Sequence, residues 1–223
     1  MTCENALYIV SIPIGNPDDI TLRAINVLKE VDILVCEEYR NGSRLLKQIG
    51  AEPKEIITTN EHNEAEQIQT LLMALAEGKS LALVSDCGTP LFSDPGHQLV
   101  ENVVSAGFKI IPVPGVSSLA TVISVTPQKL TRYVFAGFLP REPKDRVAEL
   151  KKLKMMKLPI ILMDTPYRLG NLLENVKSVY GKNQEITLAC DLTLPGELIL
   201  TDTVEAVMKR VQNKKAEFML VIM

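Results

Sequence analysis

Several residue patterns are missing from this chain of 223 residues, and each absence narrows its chemistry. The four cysteines, Cys3, Cys36, Cys87 and Cys190, form no C-x-x-C pair, and only His62 and His97 could join them. No metal site is therefore expected, and the thiols read as reduced. The chain does not open with a basic stretch and a long apolar run, and no segment approaches the length that crosses a bilayer. Neither a signal peptide nor a membrane span is expected, and a cytoplasmic location is. No two of the 12 glycines lie two residues apart, which removes the G-x-G-x-x-G dinucleotide fingerprint. G-K-[ST] and G-x-S-x-G are missing as well, so phosphate-cradling and serine-hydrolase chemistry lose their usual carriers.

What remains is an ordinary globular mix, 46% hydrophobic and 23% charged, long enough for one large or two small domains. The net charge of −3 conceals an asymmetry. Residues 1–125 hold 8 basic and 16 acidic side chains, a net of −8; residues 126–223 hold 16 and 11, a net of +5. The segment 129–157 alone carries nine basic and three acidic residues. Such a segment suits RNA phosphates, and equally a solvated helix face with lysines lying along it.

Short apolar runs alternate with amphipathic stretches, the pattern of an α/β protein. Strands are expected over 7–11, 33–36, 81–85 and 110–113. Helices are expected after Asp18 or Asp19 as cap, from Asn63 to Gly78, over 96–106 and over 117–125. Residues 126–131, with Pro127, read as a junction between domains 1–125 and 126–223. Beyond it, strands are expected at 134–136, 160–163, 185–190, 197–200 and 218–222, and helices at 145–153, 167–180 and 204–211. Strands follow one another near the end, so mixed or antiparallel pairing is expected there.

Three loops follow predicted strands: Pro13-Ile14-Gly15-Asn16, the run from Asp86 to Gly96, and Pro114-Gly115-Val116-Ser117-Ser118. In open α/β sheets ligands bind beyond the carboxyl ends of strands, where glycine lets the backbone approach them. Three such loops with small polar residues point to a ligand held by backbone groups and short hydroxyls. Asp94, Glu37 and Glu38 also follow strands and are candidate bases; the plainer reading of each is a cap or surface ion pair.

The run Ile9-Val10-Ser11-Ile12-Pro13-Ile14-Gly15-Asn16, with Asp19-Ile20-Thr21-Leu22-Arg23-Ala24, resembles the opening signature of the tetrapyrrole methylase superfamily. The resemblance is closest to its 16S rRNA 2′-O-ribose methyltransferase branch. Ser85-Asp86-Cys87-Gly88-Thr89-Pro90 with Ser93-Asp94-Pro95-Gly96 resembles the second signature, and Pro114-Gly115-Val116-Ser117-Ser118 the third. Gly137-Phe138-Leu139-Pro140-Arg141, Thr165-Pro166-Tyr167-Arg168 and Glu217-Phe218 continue it.

The resemblance implies two α/β domains with a cofactor cleft between them, a homodimer, S-adenosylmethionine as methyl donor and small-subunit rRNA as substrate. By motif position it implies cofactor contacts at Ile14, Cys87, Gly88, Thr89, Phe92, Ser117 and Ser118, with Asp164 and Leu192 from the second domain. Asp94 is the candidate catalytic base. Arg23, Arg40 and Arg168 lie beside matched motifs and suit phosphate or carboxylate contacts.

The chain departs from the branch at Glu37-Glu38-Tyr39-Arg40, at Asp164-Thr165-Pro166-Tyr167-Arg168 and at Leu194-Pro195-Gly196-Glu197, and a short form without the helical extension of many members is expected. The departures keep two alternatives in play: methylation of a small tetrapyrrole, and a non-catalytic cofactor- and RNA-binding regulator.

Overall fold

The computed structural model describes residues 3–59, 63–92, 94–212 and 214–223. The chain forms two compact units, Met1–Ser117 and Ser118–Met223. His62 and Ser93, both named above, lie outside the described residues.

The first unit is a sheet of five parallel strands, β1 (Leu7–Val10), β2 (Ile33–Cys36), β3 (Glu55–Thr58), β4 (Leu81–Leu83) and β5 (Ile110–Val113), in the order β3-β2-β4-β1-β5. The inner strands are unbroken apolar runs because helices cover both faces. On one face α1 (Leu22–Glu30) and α2 (Tyr39–Gln48) pack Ala24, Val27, Leu28, Leu45 and Leu46 against Tyr8, Val10, Leu34 and Ala82. On the other, α3 (Glu64–Ala76) and α4 (His97–Ser105) pack Ile68, Leu71, Leu75, Leu99 and Val103 against Leu7, Ile33, Val35 and Leu81. The neighbours β1 and β4 therefore send the chain to opposite faces. Their carboxyl ends form the topological switch point where open α/β sheets bind ligands.

Three local features differ from the sequence expectation. Thr21, not Asp18 or Asp19, caps α1, its hydroxyl accepting from the Ala24 amide at 3.0 Å. The two aspartates lie in a separate 3-10 turn, Pro17–Asp19, which Asn16 closes by accepting from the Asp18 amide. Helix α2 and strand β3 were not anticipated, because α2 contains Gly42 and β3 is an edge strand with exposed Glu55. That glycine is needed, since a Cβ there would stand 2.7 Å from the Cys36 sulfur.

The second unit is a mixed sheet of β6 (Val134–Gly137), β7 (Ile160–Asp164), β8 (Glu185–Cys190), β9 (Leu198–Thr203) and β10 (Phe218–Ile222), in the order β6-β7-β10-β8-β9. Strands β6 and β7 are parallel and the other pairs antiparallel, as the late succession of strands suggested. Helices α6 (Pro143–Met155), α7 (Leu169–Tyr180) and α8 (Val204–Arg210) contribute Leu150, Leu172, Leu173, Val176 and Val207 to its core. Helix α5 (Ser118–Val125) packs on β10, so the division falls before this helix, whereas the expected junction lay after it. Residues 166–168 form a 3-10 turn ahead of α7 rather than its first turn, with Pro166 at the leading position. Among the described residues, no helix is long and apolar enough to cross a membrane.

Candidate functional site

The three loops of the first unit are tied to one another by their main chains. After β1, the Ile12 amide donates to the Gly88 carbonyl at 2.9 Å, and the Gly88 amide returns to the Pro13 carbonyl at 3.3 Å. The Ser11 amide donates to Val113 at the end of β5 at 3.0 Å. Thr89 bridges all three loops: its hydroxyl shares a 3.0 Å hydrogen bond with Ser11 Oγ and donates to the Val116 carbonyl at 2.9 Å. Ser85 Oγ donates to the Cys87 carbonyl at 2.8 Å, folding the β4 loop back on itself.

Two glycines let these loops meet. Gly88 has φ +75°, and a Cβ on it would lie 3.0 Å from Ile14 Cγ2. A Cβ on Gly115 would lie 3.0 Å from Ser11 Cβ and 3.3 Å from the Ser11 carbonyl oxygen. The cradle therefore offers bare backbone, carbonyl oxygens and short hydroxyls, with Ile14, Gly88 and Thr89 at its centre. This suits S-adenosylmethionine, whose sulfonium needs oxygen partners rather than a counter-ion and whose adenosine needs backbone groups and an apolar wall. Among the described residues, no group of three or more His, Cys, Asp or Glu is placed to hold a metal.

Beside the cradle a small pocket lies at the carboxyl ends of β2 and β4 and next to the end of β3. Glu37, Thr59, Leu83, Val84, Ser85, Pro90, Asp94 and Pro95 line it. It brings together two of the three candidate bases. Glu38 instead occupies the N-cap position of α2 and is exposed. Gly96, at φ +118°, packs against Leu91 and Leu83 and carries the chain out of the pocket into α4. Cys87 is exposed, whereas burial pushes the Cys36 thiol up to about 11, so Cys36 is a core residue and not a nucleophile.

In the second unit Asp164 ends β7 with its side chain fully buried. Its Oδ1 accepts from the Thr165 amide at 2.8 Å and pairs with Arg168 Nη1 at 3.2 Å, while Oδ2 has no hydrogen-bond partner. Burial raises the Asp164 carboxyl above its ordinary range, outweighing the Thr165 amide, Arg168 and Arg146. Arg168 Nη2 donates to the carbonyls of Leu139 at 2.9 Å and Pro140 at 2.8 Å. Arg146 donates from Nε to Asn175 Oδ1 at 2.6 Å and from Nη1 to the Arg141 carbonyl at 3.0 Å.

The basic segment 129–157 is expected to meet RNA or to be a solvated helix face, yet Arg146 within it is only 4% exposed. It fastens a loop, because a guanidinium has enough donors to satisfy several carbonyls at once. Sequence reasoning missed the Arg146–Asn175 contact; the one available signal was a lone arginine at the helical spacing of Leu150 and Leu153.

Leu192, the other second-unit candidate, is 8% exposed between Asp191 at φ 50° and Thr193 at φ 66°. The Asp191 amide donates to the Glu217 carbonyl at 2.8 Å, and Lys214 Nζ pairs with Asp191 Oδ2 at 3.1 Å. Phe92 is half-buried, Ser117 closes the first unit and Ser118 opens the second. Arg23 and Arg40 are exposed, and exposed His97 lies 3.1 Å from the Leu91 carbonyl through Nε2.

Comparison with known proteins joins these observations. Residues 6–207 match the family of tetrapyrrole (corrin/porphyrin) methylases. The chain is 38% identical over 196 residues to ribosomal RNA small subunit methyltransferase I of Escherichia coli O157:H7, covering 88% of this chain and 68% of that protein. It is 36% identical over 224 residues to the protein of the same name from Rickettsia prowazekii, covering 100% of this chain and 79% of that one. Two solved structures share the fold. A cobalt precorrin-4 methyltransferase superposes with TM-score 0.73 at 19% identity, over 98% of this chain and 94% of the other. The uroporphyrin-III C-methyltransferase of Thermus thermophilus superposes with TM-score 0.64 at 21% identity, over 97% and 93%. With a family match across both units and relatives at 36% and 38% identity, the chain belongs to the tetrapyrrole (corrin/porphyrin) methylases and is an S-adenosylmethionine-dependent methyltransferase.

Proposed function

We propose that the chain transfers a methyl group to the 2′-hydroxyl of a ribose in small-subunit ribosomal RNA. One observation carries this reading: a backbone-lined cradle at the β1/β4 switch point, in a chain whose relatives at 36% and 38% identity are named for methylating that RNA. Bound S-adenosylmethionine supplies a methyl group on a sulfonium, ready for displacement by an oxygen. In this reading Ile14, Cys87, Gly88, Thr89, Phe92 and Ser117 of the first unit hold it, with Ser118, Asp164 and Leu192 from the second. Carbonyl oxygens around Gly88 balance the cationic donor, and Thr89 keeps the three loops in register. Positioning of donor and acceptor supplies most of the acceleration. Asp94 takes the proton from the ribose hydroxyl onto its carboxylate, and Glu37, on the same pocket, is the second acceptor within the site. The protein works as a homodimer in the cytoplasm.

Three measurements test the reading. Calorimetry with S-adenosylmethionine is expected to show binding; no heat at millimolar ligand would remove the site assignment. Ribose-methylation mapping of rRNA from a strain lacking the gene is expected to lose one mark, and an unchanged map would remove the rRNA substrate. Asp94→Asn is expected to lower kcat by about 100-fold or more while cofactor binding persists. Full activity in that variant would move the base to Glu37. Methyl transfer to a porphyrinoid, or binding of cofactor and RNA without turnover, would replace the proposal with one of the alternatives.

A further inference from the structure

Two exposed aromatic rings stand on the turns that follow β6 and β7. Phe138 is 46% exposed and Tyr167 is 77% exposed. Single exposed aromatics are common and need no explanation. These two differ because the half-buried guanidinium of Arg168 fastens their turns to each other. Arg168, the residue after Tyr167, donates to the carbonyls of Leu139 and Pro140, the two residues after Phe138. Its Nη1 pairs with buried Asp164. From below, Arg146 holds the Arg141 carbonyl of the same loop. The Lys215 ammonium stands 5.0 Å from the centroid of the Tyr167 ring.

We infer that Tyr167, with Lys215 over its ring and Phe138 on the adjoining turn, is a stacking platform for an unpaired base of single-stranded RNA. The inference rests on the rRNA reading above and adds to it the residues that grip the nucleotide chain. An unpaired base has a π-face that stacks on an aromatic ring whatever its sequence, and a lysine beside the ring meets the phosphate that follows. Because Arg168 and Arg146 already fix both turns, binding orders little of the protein, which favours affinity. Charge favours RNA over a protein partner: exposed Arg141 and Lys144 follow the Phe138 turn in the segment 129–157, where eight exposed basic residues, Arg146 being buried, outnumber three acidic ones.

The test measures binding of the full chain to 16S rRNA from a strain lacking the enzyme, across a salt series, with S-adenosylmethionine calorimetry on every variant. Tyr167→Ala is expected to weaken rRNA binding about tenfold, and Tyr167→Phe, which keeps the ring, to stay within about twofold of the parent. Lys215→Ala is expected to lower the salt slope by about one, and Tyr167→Ala to leave it unchanged. Cofactor affinity stays the same throughout. Parent-like binding by Tyr167→Ala overturns the platform and leaves the rRNA reading standing, and equal losses from Ala and Phe overturn stacking in favour of the hydroxyl. Failure of the parent protein to bind rRNA removes the rRNA reading and the platform together. If Tyr167→Ala instead dissociates a dimer at unchanged RNA affinity, the surface is a protein interface and the inference is wrong.

Discussion

At the scale of single residues, the site depends on a few groups that satisfy several partners at once. Thr89 is the clearest. Thr89→Val keeps its shape but leaves the Val116 carbonyl and the Ser11 hydroxyl without their partner. A loss of about 1–2 kcal/mol is expected, a fall in Tm of about 4 °C. Cofactor affinity should fall with it, and Thr89→Ser should restore both; scanning calorimetry and titration check this. Glu217 supplies a pH-dependent counterpart. Glu217 is exposed as a residue, but the protein packed around its carboxyl strips water from it and raises it above the ordinary range, and the like charges of Asp191 and Asp164 add to the shift. The folded state then binds this proton more tightly than the unfolded state does. The group's contribution is therefore lost as pH rises through the carboxylate range and recovered as pH falls. Glu217→Gln is expected to raise stability at pH 7, and the gain should shrink toward zero in acid, below the ordinary glutamate pKa. Denaturant midpoints at several pH values decide it.

At the scale of elements, some pieces were legible in the sequence because one signal dominated them. Strands β1, β2 and β10 are unbroken apolar runs, β5 stays apolar around Pro112, and the three loops carry their own Gly and Pro punctuation. Helix α2 was not legible: Gly42 is read locally as a break, yet it is there because Cys36 leaves no room for a side chain. Strand β3 was missed because an edge strand exposes one side and loses its apolar pattern. The buried Arg146 was invisible for a related reason, since a charge in a basic run is expected to point outward. Its role predicts an element-level effect. Arg146→Met leaves Asn175 and the Arg141 carbonyl without their donor and removes a fastening of residues 138–142. A loss of about 3 kcal/mol is expected, together with faster amide hydrogen exchange in that loop while β6 stays protected.

At the scale of the whole molecule, two units with separate hydrophobic cores share one chain. Heat is expected to unfold them as more than one cooperative block, with a calorimetric enthalpy above the van't Hoff value. S-adenosylmethionine at 100 times its Kd should stabilise the folded protein by about 2.7 kcal/mol, visible as a concentration-dependent rise in the transition. The loops that carry the cradle are tied largely by main-chain amide and carbonyl groups, as in the Ile12–Gly88 and Ser11–Val113 bonds, with the Thr89 hydroxyl set between them. Main-chain groups are the same in every amino acid but proline, which lacks the amide donor. Mutation can therefore rewrite the side chains that meet a substrate while the loops keep their course, and a scaffold of this kind can change what it modifies faster than it changes its shape.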